Sequence, residues 1–129
     1  MPAKHKKIQI LIVDDSVSMR KALRGHLEQD GFQFFEASDG SQGLQTFREN
    51  PSIDLILTDI NMPMMDGLTM LEKISQLENG RNVRSVVVST EGAFELKQKA
   101  KAVGVLAWII KLPDPEALKA AVRKILAQN

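Results

Sequence analysis

The chain has 129 residues, 17 Lys+Arg against 16 Asp+Glu for a net charge of +1, and is 43% hydrophobic. That length suits one domain with a real core, and the balanced charge argues neither for nor against nucleic acid. With no cysteine, disulfides, thiolate metal sites and thiol redox chemistry are excluded.

No apolar run approaches the roughly 20 residues needed to span a bilayer. The start, Met1 to Lys7, is basic and leads into a strand with no signal-peptide core. The expectation is a cytoplasmic single domain over residues 1–129, with residues 1–7 as a short basic tail.

Ile8 to Val13 is a short apolar run rich in Ile and Val, the pattern of a buried strand. It ends at Asp14-Asp15-Ser16, where Ser16 suits a helix N-cap. Val17, Leu23 and Leu27, with Met19 beside them, give the apolar stripe of that helix. Arg20, Lys21 and Arg24 take its wet side, and Gly31 closes it. Phe32 to Ala37 is a second strand. Ser38 to Ser41 is a turn that caps a short helix, with Leu44 and Phe47 inward and Asn50-Pro51 ending it.

Ile53 to Thr58 is a third strand running into Asp59, and Pro63 and Gly67 close the following turn. Leu68, Leu71, Ile74 and Leu77 mark a third helix, stopped by Asn79-Gly80. Val83 to Ser89 is a fourth strand, and Phe94 to Val103 a lysine-rich helix ended by Gly104. Val105 to Ile110 is the fifth strand. Pro115 begins a last helix, where its missing N–H costs nothing, and Leu118, Val122, Ile125 and Leu126 form its stripe. Five βα units predict an α/β fold: a five-stranded parallel sheet, doubly wound, with helices on both faces and the flavodoxin-like order 2-1-3-4-5.

In a parallel sheet all strand C-termini lie on one edge, which brings Asp14-Asp15, Asp59, Ser89-Thr90 and Lys111 toward one site. Asp and Ser also follow strands as ordinary turn formers and helix caps, so the joint occurrence carries the argument. Carboxylates crowded in a partly desolvated pocket repel one another and are tolerated together with a cation. With no Cys and no His at a strand end, Mg2+ is favoured over Zn2+. An aspartate nucleophile, a divalent ion, a lysine and a hydroxyl are the parts that take and hold a phosphoryl group, with Asp59 attacking phosphorus.

With these residues in place, the chain resembles a bacterial response-regulator receiver domain. The motif set is Asp14-Asp15, Asp59, Asn61-Met62-Pro63, Asp66-Gly67, Ser89 and Lys111, in order and across nearly the whole chain. The resemblance implies that Asp59 is the phospho-acceptor. Asp15, Asp59 and the Asn61 carbonyl would bind Mg2+ directly, and Asp14 through one of the ion's waters. Ser89 matches the hydroxyl that swings toward a phosphoryl oxygen, Trp108 the switch aromatic, and Lys111 the phosphate-pairing lysine. Asn61 and Glu91 would flank the phosphoryl group and influence how fast water removes it.

Within the family the chain is most similar to stand-alone chemotaxis regulators of the CheY type. That likeness implies a sensor histidine kinase of the CheA type as donor and a flagellar motor switch protein as target. The target would bind the face of the fourth helix, fifth strand and fifth helix, and the protein would be a monomer contacting neither nucleic acid nor membrane. It would catalyse only its own phosphorylation and dephosphorylation. A phosphorelay or phosphate-sink receiver, and a phosphorylation-independent interaction module, stay open beside this reading. A true aspartyl phosphohydrolase commonly has a second acid two residues after the nucleophile, where this chain has Asn61.

Two departures from the family pattern stand out. Leu112 intervenes between Lys111 and Pro113, so a trans Lys111–Leu112 bond is expected, with any cis bond moved to Leu112–Pro113. Thr90 stands beside Ser89, where it would narrow access or offer a second hydroxyl; spacing favours Ser89. Three further features read two ways. Lys97, Lys99, Lys101, Lys119, Arg123 and Lys124 suit either an acidic partner or simple solvation. Met62, Met64 and Met65 form either an adaptable contact surface or an incidental loop. A lone strand Trp is more often core than switch, and only the family position of Trp108 tips it.

Overall fold

The computed structural model describes residues 7–128, so all of the expected basic tail but Lys7 lies outside the described residues. Five parallel strands, β1 (Gln9–Val13), β2 (Gln33–Ala37), β3 (Leu55–Thr58), β4 (Arg84–Ser89) and β5 (Ala107–Ile110), stand in the order β2-β1-β3-β4-β5. They alternate with α1 (Val17–Leu27), α2 (Gly40–Glu49), α3 (Gly67–Ser75), α4 (Phe94–Ala102) and α5 (Pro115–Ala127). The predicted class and strand order hold. β3 and β5 begin two residues later than expected, because Ile53 N–H bonds Asn50 O and Val105 N–H bonds Ala100 O in the preceding turns. Among the described residues no helix is long and apolar enough to cross a membrane.

Four helices start on a side-chain cap, which satisfies an otherwise orphaned N–H of the first turn. Ser16, Asp39, Asp66 and Asp114 accept from the backbone N–H of Met19, Gln42, Thr69 and Ala117. Ser16 therefore caps as expected, but the α1 stripe is shifted. The buried residues are Met19, Leu23 and Leu27, at i, i+4 and i+8, and Val17 is exposed. Val17 lies half a turn from Met19, on the rim rather than over the sheet.

Side-chain alternation along the strands divides the core in two. Ile10, Ile12, Leu55, Leu57, Val86 and Val88 face α1 and α5, meeting Leu23, Leu118 and Val122. Leu11, Val13 and Ile56 face α2 and α3, meeting Phe47, Met70 and Ile74. Full burial of each such side chain contributes about 1.5–3 kcal/mol, so the central strands anchor the fold. The register places Val13 beside both Ala37 and Thr58, Thr58 beside Val87, and Ser89 beside Ile110. β1, β2 and β3 thus end level, β4 and β5 run two residues further, and the residues that follow all five leave the sheet on the same edge.

Candidate functional site

Two backbone bonds carry the sheet past its last ladder residues. Asp14 N–H donates to Ala37 O at 3.1 Å and Asp59 N–H to Val13 O at 2.9 Å, so both acids emerge already fixed in direction. One oxygen of each is held by a nearby amide. Ser16 N–H donates to Asp14 Oδ1 at 2.9 Å, and Ile60 N–H to Asp59 Oδ1 at 2.7 Å. The free oxygens turn toward one another. Asp14, Asp15 and Asp59 each offer a carboxylate oxygen within 4.8 Å of the others. Asp14 and Asp59 are buried, whereas Asp15 opens to solvent.

Gly67 explains how the loop after β3 packs so closely. A Cβ there would lie 1.9 Å from Asp59 O, so no side chain fits without moving the acid's own backbone. Met62 and Met65 turn back against the core beneath that loop. Met64 is exposed and adopts a left-handed backbone, with φ +69°.

Lys111 reaches the cluster from the far side. Its Nζ lies 2.8 Å from Asp14 Oδ2 and 2.9 Å from Asp59 Oδ2, and its side chain is only 12% exposed. Burial pushes its pKa down, but the contacts with Asp14 and Asp59 outweigh burial and leave it raised. The expectation of a trans bond after this lysine is corrected: Lys111–Leu112 is the cis peptide. Lys111 is tied at both ends, by its N–H to Ser89 O at 3.0 Å and by its ammonium to the two acids, and the chain turns away in that position. Leu112 points outward and is exposed.

The cluster suits a hard divalent ion. Three carboxylates face one ammonium, so two negative charges remain uncompensated within it. Asp14 Oδ2 is buried, and the Lys111 ammonium at 2.8 Å is its one ion-pair partner among the described side chains. An oxygen-only donor set with one solvent-open member fits an ion that keeps waters, as Mg2+ does.

Of the remaining predicted residues, Ser89, Asn61 and Trp108 form a second cluster joined by Glu91. Its N–H donates to Ser89 Oγ at 3.1 Å, its Oε1 accepts from Asn61 Nδ2 at 3.2 Å, and its carbonyl accepts from Trp108 Nε1 at 2.8 Å. Ser89 is buried at the end of β4 and Thr90 is exposed, so the two neighbouring hydroxyls face different surroundings. Trp108 is partly buried and tethered by its indole N–H.

Arg20 is the residue that the sequence misassigned. Expected on the wet side of α1, its side chain is only 14% exposed, and Nη1 donates to Asp14 O at 2.6 Å. The basic patch also changes. Arg123 pairs with Asp30 and Lys119 with Glu116, leaving Lys97, Lys99, Lys101 and Lys124 exposed.

A family model described as the response regulator receiver domain matches residues 10–123. The chain is 35% identical to chemotaxis protein CheY of Treponema pallidum, over 92% of this chain and 82% of that protein. It is 33% identical to sporulation initiation phosphotransferase F of Bacillus subtilis, over 92% of this chain and 93% of that protein. Among solved structures, the CheX–CheY–BeF3–Mg2+ complex from Borrelia burgdorferi superposes with a TM-score of 0.86 at 30% identity, covering 94% of this chain and 90% of that one.

Proposed function

The chain belongs to the response regulator receiver domain family, a family of signalling proteins phosphorylated on aspartate, and we propose that Asp59 is its phospho-acceptor. The observation that carries this reading is the convergence of Asp14, Asp15 and Asp59 within 4.8 Å, with the Lys111 ammonium 2.9 Å from Asp59 Oδ2. Asp59 Oδ1 accepts from Ile60 N–H, whereas Oδ2 is held by the Lys111 ammonium and becomes the attacking oxygen as that lysine moves away. Oδ2 forms a P–O bond as the donor's P–N bond breaks, and the freed imidazole of the donor histidine takes a proton.

Receiver domains bind Mg2+ at an acidic pocket, and here Asp14, Asp15, Asp59 and the Asn61 carbonyl would hold it. When bound, the ion supplies charge neutralisation for the transferring oxygens. Lys111 leaves its ion pair with Asp59 to meet the new phosphoryl oxygens, which carry more charge than the carboxylate did. Ser89 Oγ, held by Glu91 N–H, moves toward the same oxygens, and Trp108 follows because it hangs on the same residue. That coupling shifts the population of the α4–β5–α5 face between two states.

In this reading the protein acts in the cytoplasm as a monomer and catalyses only its own phosphorylation and dephosphorylation. A CheA-type sensor histidine kinase supplies phosphate, and a flagellar motor switch protein or another protein target reads the face. The exposed Lys97, Lys99 and Lys101 suit an acidic target there. Asn61 and Glu91, bonded to each other at the mouth of the site, would set the lifetime of the phosphoryl group. The 33% identity to a sporulation phosphotransferase supports a second reading, a relay or phosphate sink without a motor target.

The test is titration of Mg2+ and then beryllofluoride, a stand-in for the phosphoryl group, into wild type and Asp59→Asn. Backbone NMR shifts and Trp108 fluorescence are the readouts. Responses around Ser89, Trp108 and Lys111 in wild type alone support the phospho-acceptor reading. A wild type silent to both ligands would leave a constitutive interaction module. Pull-downs with kinase and motor components separate chemotaxis output from a relay.

A further inference from the structure

We propose that Arg20 is a positioning residue for the acid pair, acting through the main chain of Asp14 and itself aimed by Glu36. This rests on the reading of the acid cluster as a divalent-cation site. Asp14 carries four constraints, and three of them come from the sheet edge and the site itself: Ala37 O, Ser16 N–H and Lys111 Nζ. The fourth is Arg20, whose Nη1 donates to Asp14 O at 2.6 Å. That carbonyl belongs to the peptide joining Asp14 to Asp15. A hydrogen bond on it fixes the plane from which both carboxylates project.

Arg20 is in turn held rigid. Its Nε donates to Glu36 Oε1 at 3.1 Å, so two edges of one planar guanidinium are used at once. Glu36 lies on β2, opposite Ile12 in the ladder, two residues before the start of the acid pair. Its other oxygen accepts from Arg24 at 3.1 Å, and Asp14's own side-chain and carbonyl partners are Ser16, Lys111 and Arg20, not Arg24. The arrangement is a brace running from the edge strand through the helix to the metal-facing peptide.

Charge and geometry make opposite forecasts here, which renders the proposal testable. A cation beside the site repels Mg2+, so by charge alone removing Arg20 tightens binding. Positioning forecasts the reverse: outer partners that orient ligands typically change metal affinity by about 10–100-fold. A lysine keeps the charge but offers one ammonium, which cannot serve Glu36 and the Asp14 carbonyl with the same fixed fork.

The experiment is calorimetric titration of Mg2+ into the full chain as wild type, Arg20→Lys, Arg20→Gln, Glu36→Asp and Arg24→Gln. Thermal melts in chelator and the amide shift of Asp15 in the metal-free state accompany it. The expected result is affinity about 10-fold weaker in both Arg20 variants, a smaller weakening in Glu36→Asp, and wild-type affinity in Arg24→Gln. The Asp15 amide shift should move in step with affinity. Lower melting with unchanged affinity would make Arg20 a plain tether between α1 and β2, and the proposal would fall. Tighter binding in Arg20→Gln with wild-type binding in Arg20→Lys would also overturn it. If the Arg20 variants do not fold, Glu36→Asp decides, since it keeps the charge and shortens the anchor. A wild type that binds no Mg2+ sinks the cation-site reading itself and this inference with it.

Discussion

Lys111 Nζ, at the end of the edge strand, lies 2.9 Å from Oδ2 of Asp59, which is 52 residues earlier at the end of a central strand. The contact makes the site self-neutralising in part, and it makes stability depend on pH in the alkaline range. The lysine's folded pKa is raised above its ordinary value of 10.5, so its stabilising effect is complete below that value and is lost as pH climbs through the folded one. In chelator, wild type should be more stable than Lys111→Met at pH 8, and the gap should close above about pH 10.5. Urea unfolding across that range is the measurement.

Asp15→Asn should move stability in opposite directions with and without metal. Removing one of three clustered carboxylates relieves repulsion, so the variant should melt higher than wild type in chelator. Ligand at a hundred times its dissociation constant stabilises by about 2.7 kcal/mol. Wild type should gain on that order from saturating Mg2+, and the variant should lose most of the gain.

Gly67→Ala and Gly80→Ala separate damage to the site from damage to the fold. Each added Cβ would meet backbone, Asp59 O at 1.9 Å and Ile74 O at 1.8 Å respectively. Both should destabilise by about 1–3 kcal/mol, the usual cost of overpacking. Only Gly67→Ala should also weaken the Mg2+ and beryllofluoride response, because Gly80 lies before β4, at the opposite end of the sheet from the acids.

Trp108→Phe keeps an aromatic ring but removes the donor to Glu91 O. The expected cost is about 0.5–1.5 kcal/mol, the net value of one such hydrogen bond. The amides of Glu91 and Ser89 should shift in the NMR spectrum, and the beryllofluoride response should no longer propagate as fully from β4 to β5. Equal stability and unchanged shifts would mean that the tether carries no coupling.

The strand order and the gathering of the acids were legible because both follow from one rule: parallel strands end on one edge. Ser89 and Thr90 were adjacent hydroxyls until burial set them apart, one sealed at the strand end and one in solvent. Arg20 was not legible. A charge on a helix reads as solvated, and the partner that draws it inward, Glu36, is 16 residues away on another strand. Val17 joined the α1 stripe by composition, while the actual spacing runs through Met19. The cis bond after Lys111 has no proline to announce it; contacts from Asp14, Asp59 and Ser89 hold the lysine, and none is local in sequence.

The sheet order also bears on how such a molecule can diversify. Both acid-bearing strands are interior and flanked on each side, while the strand carrying Trp108 has a neighbour on one side only. Leu106, just before that outer strand, and Ile110, at its end, are each about half exposed. In the proposed reading, substitutions at these two positions change what docks on the outer strand while the acid cluster on the inner strands stays in place. The inner strands admit far less change. One lineage of such chains can therefore acquire new listeners while keeping one way of being addressed.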